Sequence, residues 1–390
     1  MRKREVVEKR IQEVVTGTEP KDFFKQKRSP AEIKEAVFLP FFPIWCETLF
    51  AVQEPVEPVL YVDASAGLGL QEAGEWPVSF KVLKSIFART GGRIDLNKVV
   101  QPFLYEGNKA LAPTLPQLAE ELPFYPELHQ KPLFLHEPEN VAVLQEQDTK
   151  ASAVFLFVDP FGNKFSQELW ARHLKLGKTD FLLLFDYKKV AAALSNQKAP
   201  NHLQALLGER LSGLQRYFAK TSNPAKKEAY ALKAFSACLQ EKGLNSSRFR
   251  INVPGKDQSS HQVWFVSKSD LAHTRFKELL LPFCEVQEDG VPVFGANLKT
   301  VRLLVPEYAK YLEFSLVNLM EDLVQNASVY NSMVLEKIYE KHNVGKPYSK
   351  ANYQTAFEKL KEQGKITLLN PKTGQLVYKL TSACRIKFKV

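Results

Sequence analysis

Short, continuously apolar segments alternate with helical stretches through the middle of the chain, and this order constrains the fold more than any other feature. Strands without polar alternation are typical of a parallel sheet that is buried on both faces. The pattern therefore predicts a doubly wound α/β domain. The predicted strands are Val59–Val62, Phe103–Tyr105, Pro132–Leu135, Val154–Val158 and Phe181–Phe185. The predicted helices between and after them are Val78–Arg89, Lys109–Glu121, Ser166–Leu176 and Asn201–Phe218.

Two further features complete this domain. The segment Gln262–Ser267 reads as a late strand that closes the sheet as an antiparallel edge. Near the other end, Ser29-Pro30-Ala31-Glu32 has the form of a capped helix start, with Ser as the N-cap and Pro at the first helical position. The helix that follows is apolar and should pack on the sheet, with Pro40 and Pro43 breaking or kinking it.

The C-terminal part of the chain follows a different pattern, that of two helices and a β-hairpin with Gly374 in its turn. This order is typical of a winged helix. Its predicted elements are the helices Asn331–His342 and Ser349–Gln363 and the strands Lys365–Leu369 and Gln375–Leu380. The expected organisation is a charged arm at 1–29, a Rossmann-like domain at 30–290, a helical connector at 291–324 and a winged helix at 325–390.

The positive charge of the chain is concentrated in this last unit. The whole chain carries a net charge of +10, and residues 325–390 contain 12 Lys and Arg against 4 Glu and no Asp. Such a unit predicts binding to nucleic acid, either DNA or RNA. The second helix would present Lys350, Tyr353, Gln354 and Lys361, and the wing would present Lys372. The alternatives are a winged helix that contacts only proteins, or a solvated Lys-rich unit.

The composition excludes several other classes of protein. Hydrophobic residues make up 45% of the chain, which is too many for a disordered protein. No apolar run approaches the roughly 20 residues of a membrane helix, so no membrane contact is expected. The four cysteines lie far apart without a CxxC pair, which argues against a metal site or a disulfide framework and favours a reduced, cytoplasmic protein. No GxSxG motif or paired histidines indicate nucleophilic catalysis.

The turn after the first strand is the first candidate site. Asp63 ends the strand, and Ser65, Gly67 and Gly69 follow in a run of small residues. Glycines let a ligand approach the backbone closely, and the start of the next helix favours a negatively charged group. The Asp-x-Ser-Ala-Gly-x-Gly sequence resembles motif I of S-adenosylmethionine methyltransferases, with Ser65 in place of the usual Phe. A tight turn that binds no ligand is the alternative.

An acidic residue at the end of the next strand is the second candidate. Glu106 would accept hydrogen bonds from the ribose hydroxyls of the cofactor. It comes 43 residues after Asp63, whereas roughly 20 is usual, and insertions at Gln71–Trp76 and Gly91–Lys98 would explain the difference. A surface glutamate without a ligand is the alternative.

The third candidate is Asp159-Pro160-Phe161-Gly162, which follows the strand FLFV. At this position amino-methyltransferases carry an Asp/Asn-Pro-Pro-aromatic turn, which accepts hydrogen bonds from an exocyclic amine while the aromatic ring stacks on a base swung out of its helix. Phe161 stands here in place of the second Pro. The sequence resembles the DPFG motif of tRNA guanine dimethyltransferases. A sheet-end turn without a ligand is the alternative. Lys188 and Lys189, after the next strand, would contact phosphate or form a solvated charge pair.

Together the segments YVDASAGLG, FLYEGNK, FLFVDPFGN, TDFLLLFDY and HQVWFVSKSDLAHTRFKELL, followed by a basic winged helix, resemble the three-Cys-motif partner (TcmP) family of bacteria and archaea. This resemblance extends from about Lys34 to the C-terminus. It implies a Rossmann-like methyltransferase fold and a partner that is a radical-SAM-like three-cysteine protein, encoded in mobile or defence loci.

These residues predict a methyltransferase-like protein that uses S-adenosylmethionine and acts on an amino group of a nucleic-acid base. Asp63, Ser65, Gly67, Gly69 and Glu106 would hold the cofactor, and Asp159, Pro160 and Phe161 the acceptor. The alternative is a non-catalytic adaptor that binds nucleic acid or senses a nucleotide and recruits a defence effector. An open cavity beside Asp159 would favour the enzyme, and a filled one the adaptor.

Overall fold

The computed structural model describes residues 19–51, 58–69, 76–91, 94–196, 201–300 and 306–389. Residues 1–18 of the predicted N-terminal arm and residues 71–75 of the predicted insertion lie outside these ranges. Among the helices in the described ranges, none combines the length and the apolar composition that crossing a membrane requires.

One large sheet organises the first part of the chain. Its region contains ten strands: β1 (Val59–Asp63), β2 (Val100–Leu104), β3 (Leu133–Phe134), β4 (Ala153–Val158), β5 (Thr179–Phe185), β6 (Asn245–Asn252), β7 (Ser259–Ser267), β8 (Glu285–Val286), β9 (Pro292–Val293) and β10 (Gly295–Ala296). Eight of these form the sheet, in the order β10-β6-β7-β5-β4-β1-β2-β3. Strands β1 to β5 are parallel to one another, and β7 is antiparallel to both β5 and β6.

Helices cover both faces of this sheet. They are α1 (Pro20–Phe23), α2 (Pro30–Ile33), α3 (Leu39–Phe50), α4 (Val78–Phe87), α5 (Leu96–Val99), α6 (Thr114–Glu120), α7 (Pro138–Lys150), α8 (Lys164–Leu176), α9 (Tyr187–Ser195), α10 (Asn201–Leu207), α11 (Arg210–Lys220), α12 (Pro224–Glu241) and α13 (Asp270–Leu280). Short 3₁₀ turns occur at Tyr125–Glu127 and Leu281–Phe283.

The strands are apolar throughout because each one contributes to two cores. In β1, Val59 and Tyr61 face a core with α3, α4 and α13, while Leu60 and Val62 face a second core with α7, α8 and α12. This arrangement confirms the predicted Rossmann-like, doubly wound α/β fold.

The structure of this domain differs from expectation in four places. Strand β7 is antiparallel as expected, but it lies inside the sheet, because β6 pairs with its other side. The polar sequence NSSRFRIN of β6 hid that strand from a search for apolar runs. The predicted helix Asn201–Phe218 is divided at Gly208, whose φ is +51°. The N-terminal helix continues past Pro40 and Pro43, and its irregularity is a π-helical turn at Lys34–Phe38.

A second, smaller sheet and four helices form the C-terminal unit, which confirms the predicted winged helix. The helices are α14 (Leu316–Gln325), α15 (Ala327–Tyr330), α16 (Leu335–His342) and α17 (Lys350–Glu362), preceded by a 3₁₀ turn at Pro306–Tyr311. The strands are β11 (Met333–Val334), β12 (Ile366–Leu369), β13 (Leu376–Val377) and β14 (Arg385–Phe388), in the order β11-β14-β12-β13.

This unit differs from expectation at its edges. The first predicted helix begins four residues late, at Leu335, because Met333 and Val334 pair with β14. Strand β14 itself was not predicted. Helix α14, from the predicted connector, packs Leu316, Leu319 and Leu323 into the same core as α16 and α17. The boundary at residue 325 therefore divides one hydrophobic core.

The two units meet through α13. The Lys277 ammonium donates to the carbonyl oxygens of Asn343 and Lys346, both at 3.2 Å, and Asn343 donates to the Thr274 hydroxyl at 2.9 Å. Lys277 is 2% exposed, and its ammonium lies 5.3 Å from the centre of the Tyr339 ring. Burial lowers the pKa of Lys277 well below its usual value. A buried polar contact of this kind fixes how the winged helix sits on the α/β domain.

Candidate functional site

The turn after β1 lies at the carboxyl edge of the sheet, where ligands bind in open α/β folds. Asp63 is fully buried beneath it. One carboxylate oxygen, Oδ1, accepts from the Ser65 amide at 3.0 Å, and Oδ2 accepts from the Tyr61 hydroxyl at 2.6 Å. The Lys34 ammonium donates to Oδ2 at 2.6 Å and to the Ser65 carbonyl at 2.9 Å. The Asp63 carboxylate therefore holds the turn in shape, and its complete burial keeps it away from a ligand.

Lys34 is the residue of this site that the sequence reading missed. It lies in the π-helical turn, is 1% exposed, and has its ammonium 4.4 Å from the centre of the Phe157 ring. Burial lowers its pKa, and the Asp63 carboxylate opposes that shift. Burial likewise raises the pKa of Tyr61 well above its usual value. The signal in the sequence was a lysine at helical spacing with Val37, Phe38 and Phe41, in the apolar stripe that faces the sheet.

Glu106 and Gly67, which are distant in the chain, meet at this turn. The Gly67 amide donates to Glu106 Oε2 at 2.9 Å, and the Asn108 amide donates to Oε1 at 2.7 Å. A Cβ atom on Gly67 would lie only 2.5 Å from Oε2. Only glycine therefore allows this approach. Gly69, at the end of the turn, has a φ of +96°, which also favours glycine. The structure thus joins the first two candidate motifs despite their unusual spacing.

The turn after β4 carries Asp159, whose carboxylate already has two partners. Oδ1 accepts from the Phe161 amide at 2.9 Å, and Oδ2 forms an ion pair with the Lys189 ammonium at 2.6 Å. The side chain of Asp159 is 17% exposed and that of Lys189 is 52% exposed. Lys189 thus pairs with a residue of the candidate site, while its neighbour Lys188 is exposed to solvent.

Phe161 points into the protein. Its ring centroid lies 5.3 Å from that of Phe185 and 5.6 Å from that of Phe235. The apolar space that Pro160 and Phe161 line with Trp264 has a volume of about 10 Å³, which is roughly the size of one water molecule. The ring thus packs on core residues while part of it stays exposed. The small space belongs to the core beneath the ring, and Asp159 is not among the residues that line it.

Two of the three lysines that were predicted to contact nucleic acid in the winged helix have protein partners. Lys350 forms an ion pair with Glu336, and the Lys361 ammonium donates to the Tyr378 carbonyl at 2.6 Å. Lys372 lies exposed in the turn between β12 and β13, as predicted.

The prediction for Tyr353 was wrong. Its side chain is fully buried, and its hydroxyl lies 2.6 Å from Nδ1 of His342. It lies on the apolar stripe of α17 with Phe357 and Leu360, and these residues form the core beneath the helix. It therefore cannot contact nucleic acid from this position.

Among the residues that the structure describes, no three His, Cys, Asp or Glu side chains cluster in a way that could hold a metal ion. The four cysteines are free and buried.

Comparison with known proteins supports the C-terminal winged helix. The model of the GMT-like wHTH domain family matches residues 306–373. No curated protein matches the chain. Among solved structures, the chain is similar to the methyltransferase domain of bacterial CtHen1-CN, at 8% sequence identity and a TM-score of 0.30, over 59% of this chain and 97% of that one. A similarity at that level carries no argument about activity. The family match shows that residues 306–373 are similar to the GMT-like wHTH domain.

Proposed function

We propose that this chain is a methyltransferase-like protein that binds S-adenosylmethionine at the carboxyl edge of its large sheet and acts on an amino group of a nucleic-acid base. The contact between the Gly67 amide and the Glu106 carboxylate, at 2.9 Å, carries the proposal. It brings together a glycine turn and an acidic group from the neighbouring strand, the pair that nucleotide cofactors require in Rossmann-like folds.

The residues of this turn fit the cofactor. Gly67 and Gly69 leave the backbone open to the methionine part, while Ser65 lies at the start of the turn. Glu106 is oriented by two backbone amides and would accept from the ribose hydroxyls. Asp63 and Lys34 brace the turn from below and do not contact the cofactor. When bound, S-adenosylmethionine supplies an electrophilic methyl group; the chain supplies the orientation.

On the acceptor side, Asp159 would accept a hydrogen bond from the base amine and hold its lone pair toward the methyl group. For this, Lys189 has to release the carboxylate. The Lys189 side chain is half exposed, so the ion pair contributes little stability, and an incoming amine can replace the ammonium. Pro160 fixes the backbone of the turn and donates no competing N–H group.

A non-catalytic adaptor is the second candidate function, and the packing of the Phe161 ring against Phe185 and Phe235 favours it. In that case the chain binds the cofactor or a nucleotide and the nucleic acid, without transferring a methyl group, and recruits a defence effector. The similarity to the TcmP family supports a three-cysteine radical-SAM-like protein as the partner in either case.

Calorimetric titration with S-adenosylmethionine tests the proposal. We expect the wild type to bind and Glu106→Gln to bind at least about tenfold more weakly, a difference of about 1.4 kcal/mol. Glu168→Gln removes the same charge from an exposed side chain of α8 and should bind like the wild type. Absence of binding by the wild type would overturn the cofactor proposal. Transfer of a labelled methyl group to mixed nucleic acid then separates the enzyme from the adaptor.

A further inference from the structure

The solvent face of the winged-helix sheet carries a row of positive charges. Along β14, Ile386 and Phe388 are buried in the core, whereas Arg385 and Lys387 are exposed. Lys389 continues the alternation, because its amide donates to the Lys365 carbonyl at 2.8 Å and its side chain is exposed. Alternate residues of a strand point to one side and lie about 6.8 Å apart. The three cations therefore form a regular row on the outer face.

The charge of the winged helix is concentrated on this sheet rather than on α17. Residues 363–390 contain six Lys and Arg and no acidic residue, whereas residues 350–362 contain three Lys and two Glu. In the described part of the chain, none of the cations Arg385, Lys387 and Lys389 has an acidic partner within 4.0 Å, although Lys350 does. A row of uncompensated positive charge thus lies on the sheet.

Apolar groups adjoin this row. Leu376 on β13 pairs with Leu369, which in turn pairs with Arg385 across the sheet. Cross-strand partners share a face, so Leu376, which is 62% exposed, lies on the cationic face. Tyr378 follows β13 directly and is 84% exposed. An exposed aromatic ring beside a row of cations is the arrangement that binds single strands, because stacking needs the open face of a base.

We propose that the outer face of this sheet binds single-stranded nucleic acid. Arg385, Lys387 and Lys389 contact successive phosphates, and a base stacks on Tyr378. A row of cations about 6.8 Å apart can follow the phosphates of either a duplex or a single strand. The exposed ring of Tyr378 favours the single strand, because stacking needs the open face of a base. The inference rests on the proposed binding of nucleic acid, to which it adds the kind of strand and the surface.

Fluorescence anisotropy with the full chain and a labelled homopyrimidine oligonucleotide tests this surface. The triple variant Arg385→Gln, Lys387→Gln, Lys389→Gln should lower the log–log salt slope by about 2, since each phosphate contact on a single strand contributes about 0.7. The matched control Lys337→Gln, Lys341→Gln, Lys359→Gln makes the same change in charge on α16 and α17 and should keep the slope of the wild type.

The aromatic contact has its own pair of variants. Tyr378→Ala should weaken binding about fivefold or more, which corresponds to the roughly 1 kcal/mol lower bound for one base stacked on an aromatic ring. Tyr378→Phe keeps the ring and should bind like the wild type.

The outcomes separate this inference from the proposed function. Tighter binding of a matched duplex, or loss of binding in the control triple alone, would overturn the sheet surface and leave nucleic-acid binding in place. A wild type that binds no nucleic acid would overturn both, and the calorimetric result for the cofactor would still stand.

Discussion

The ammonium of Lys34 lies 2.6 Å from the carboxylate of Asp63, and neither side chain exposes any surface to solvent. The pair connects the N-terminal helical segment to the turn after β1, 29 residues away in the sequence. Taking two charges out of water is unfavourable, so such a pair persists only when further hydrogen bonds satisfy both groups. The Tyr61 hydroxyl, the Ser65 amide and the Ser65 carbonyl meet that requirement here.

Removing one member of this pair should be strongly destabilising. We expect Lys34→Met to lower the free energy of unfolding by about 3–5 kcal/mol, because Asp63 is left as an uncompensated buried charge. Urea unfolding measures the change. Combining Lys34→Met with Asp63→Asn should recover part of it.

The control for this prediction is Lys81→Met, which breaks the half-exposed ion pair with Glu35 and should cost about 0–1 kcal/mol. Equal effects of the Lys34 and Lys81 substitutions would contradict the role of the buried pair.

Adding a methyl group at Gly67 should displace Glu106. In Gly67→Ala the new Cβ would lie 2.5 Å from Oε2 of Glu106, which is closer than a carbon and an oxygen atom approach without a bond between them. We expect S-adenosylmethionine to bind at least about tenfold more weakly, a change of about 1.4 kcal/mol, while Gly67→Val abolishes binding and leaves unfolding cooperative. Gly213→Ala in α11, where the new atom meets nothing, should leave affinity unchanged and raise stability by roughly 0.5–1 kcal/mol.

Substitutions of the two members of the ion pair between Asp159 and Lys189 should have opposite effects on methyl transfer. Asp159→Ala should remove methyl transfer with little change in cofactor affinity, because Asp159 holds the acceptor amine. Lys189→Ala frees the carboxylate and should raise the turnover of methyl groups, measured with labelled cofactor. Lys188→Ala, at the exposed neighbouring position, should behave like the wild type. If no variant or wild type transfers a methyl group while cofactor and nucleic acid still bind, the adaptor is favoured.

Buried histidines should make the protein less stable in acid. Burial lowers the pKa of His273 to about 4, below the value near 6.5 of an unfolded chain. At a pH between these two pKa values the histidine is protonated in the unfolded chain but not in the native state. The free energy of unfolding therefore falls as the pH drops. We expect His273→Gln to reduce the loss of unfolding free energy between pH 7 and pH 5 by roughly 1–2 kcal/mol. The same substitution at His136, which is exposed, is the control. An unchanged pH profile in His273→Gln would contradict this assignment.

Helix α14 should be needed for the winged helix to fold. Leu316, Leu319 and Leu323 are each at most 6% exposed in its core, and burying one leucine contributes roughly 1.5–3 kcal/mol. We expect a fragment of residues 325–390 to lack a cooperative thermal transition and a fragment of residues 306–390 to have one, as circular dichroism will report. A cooperative transition in the fragment of residues 325–390 would show that the winged helix folds without α14, and it would support a domain boundary at residue 325.

The sequence predicted the central strands well, because β1, β4 and β5 are apolar at nearly every position and are buried on both faces. It could not predict β6, whose polar residues alternate with buried ones. Both results follow from the hydrophobic pattern. That pattern indicates which residues are buried, and it does not by itself indicate a strand.

At the site, the sequence predicted which motifs meet but not how their charges are used. Gly67 and Glu106 come together as expected, because carboxyl ends of adjacent parallel strands lie at one edge of the sheet. Pairing of Asp63 with Lys34 and of Asp159 with Lys189 depends on the positions of α9 and of the N-terminal helix, which no local pattern encodes. Tyr353 was misassigned because its polar hydroxyl was given more weight than its position on an apolar stripe.

The contact of Lys277 with the Asn343 and Lys346 carbonyls has a consequence for how such a chain can evolve. A module that covered Lys277 without offering carbonyl oxygens would bury an ammonium that has no hydrogen-bond partner, which is costly. The winged helix therefore cannot simply be exchanged for another winged-helix module. A related module moved onto this α/β domain would have to bring the two carbonyl groups that Lys277 requires, so recombination between relatives should keep α13 and the winged helix together.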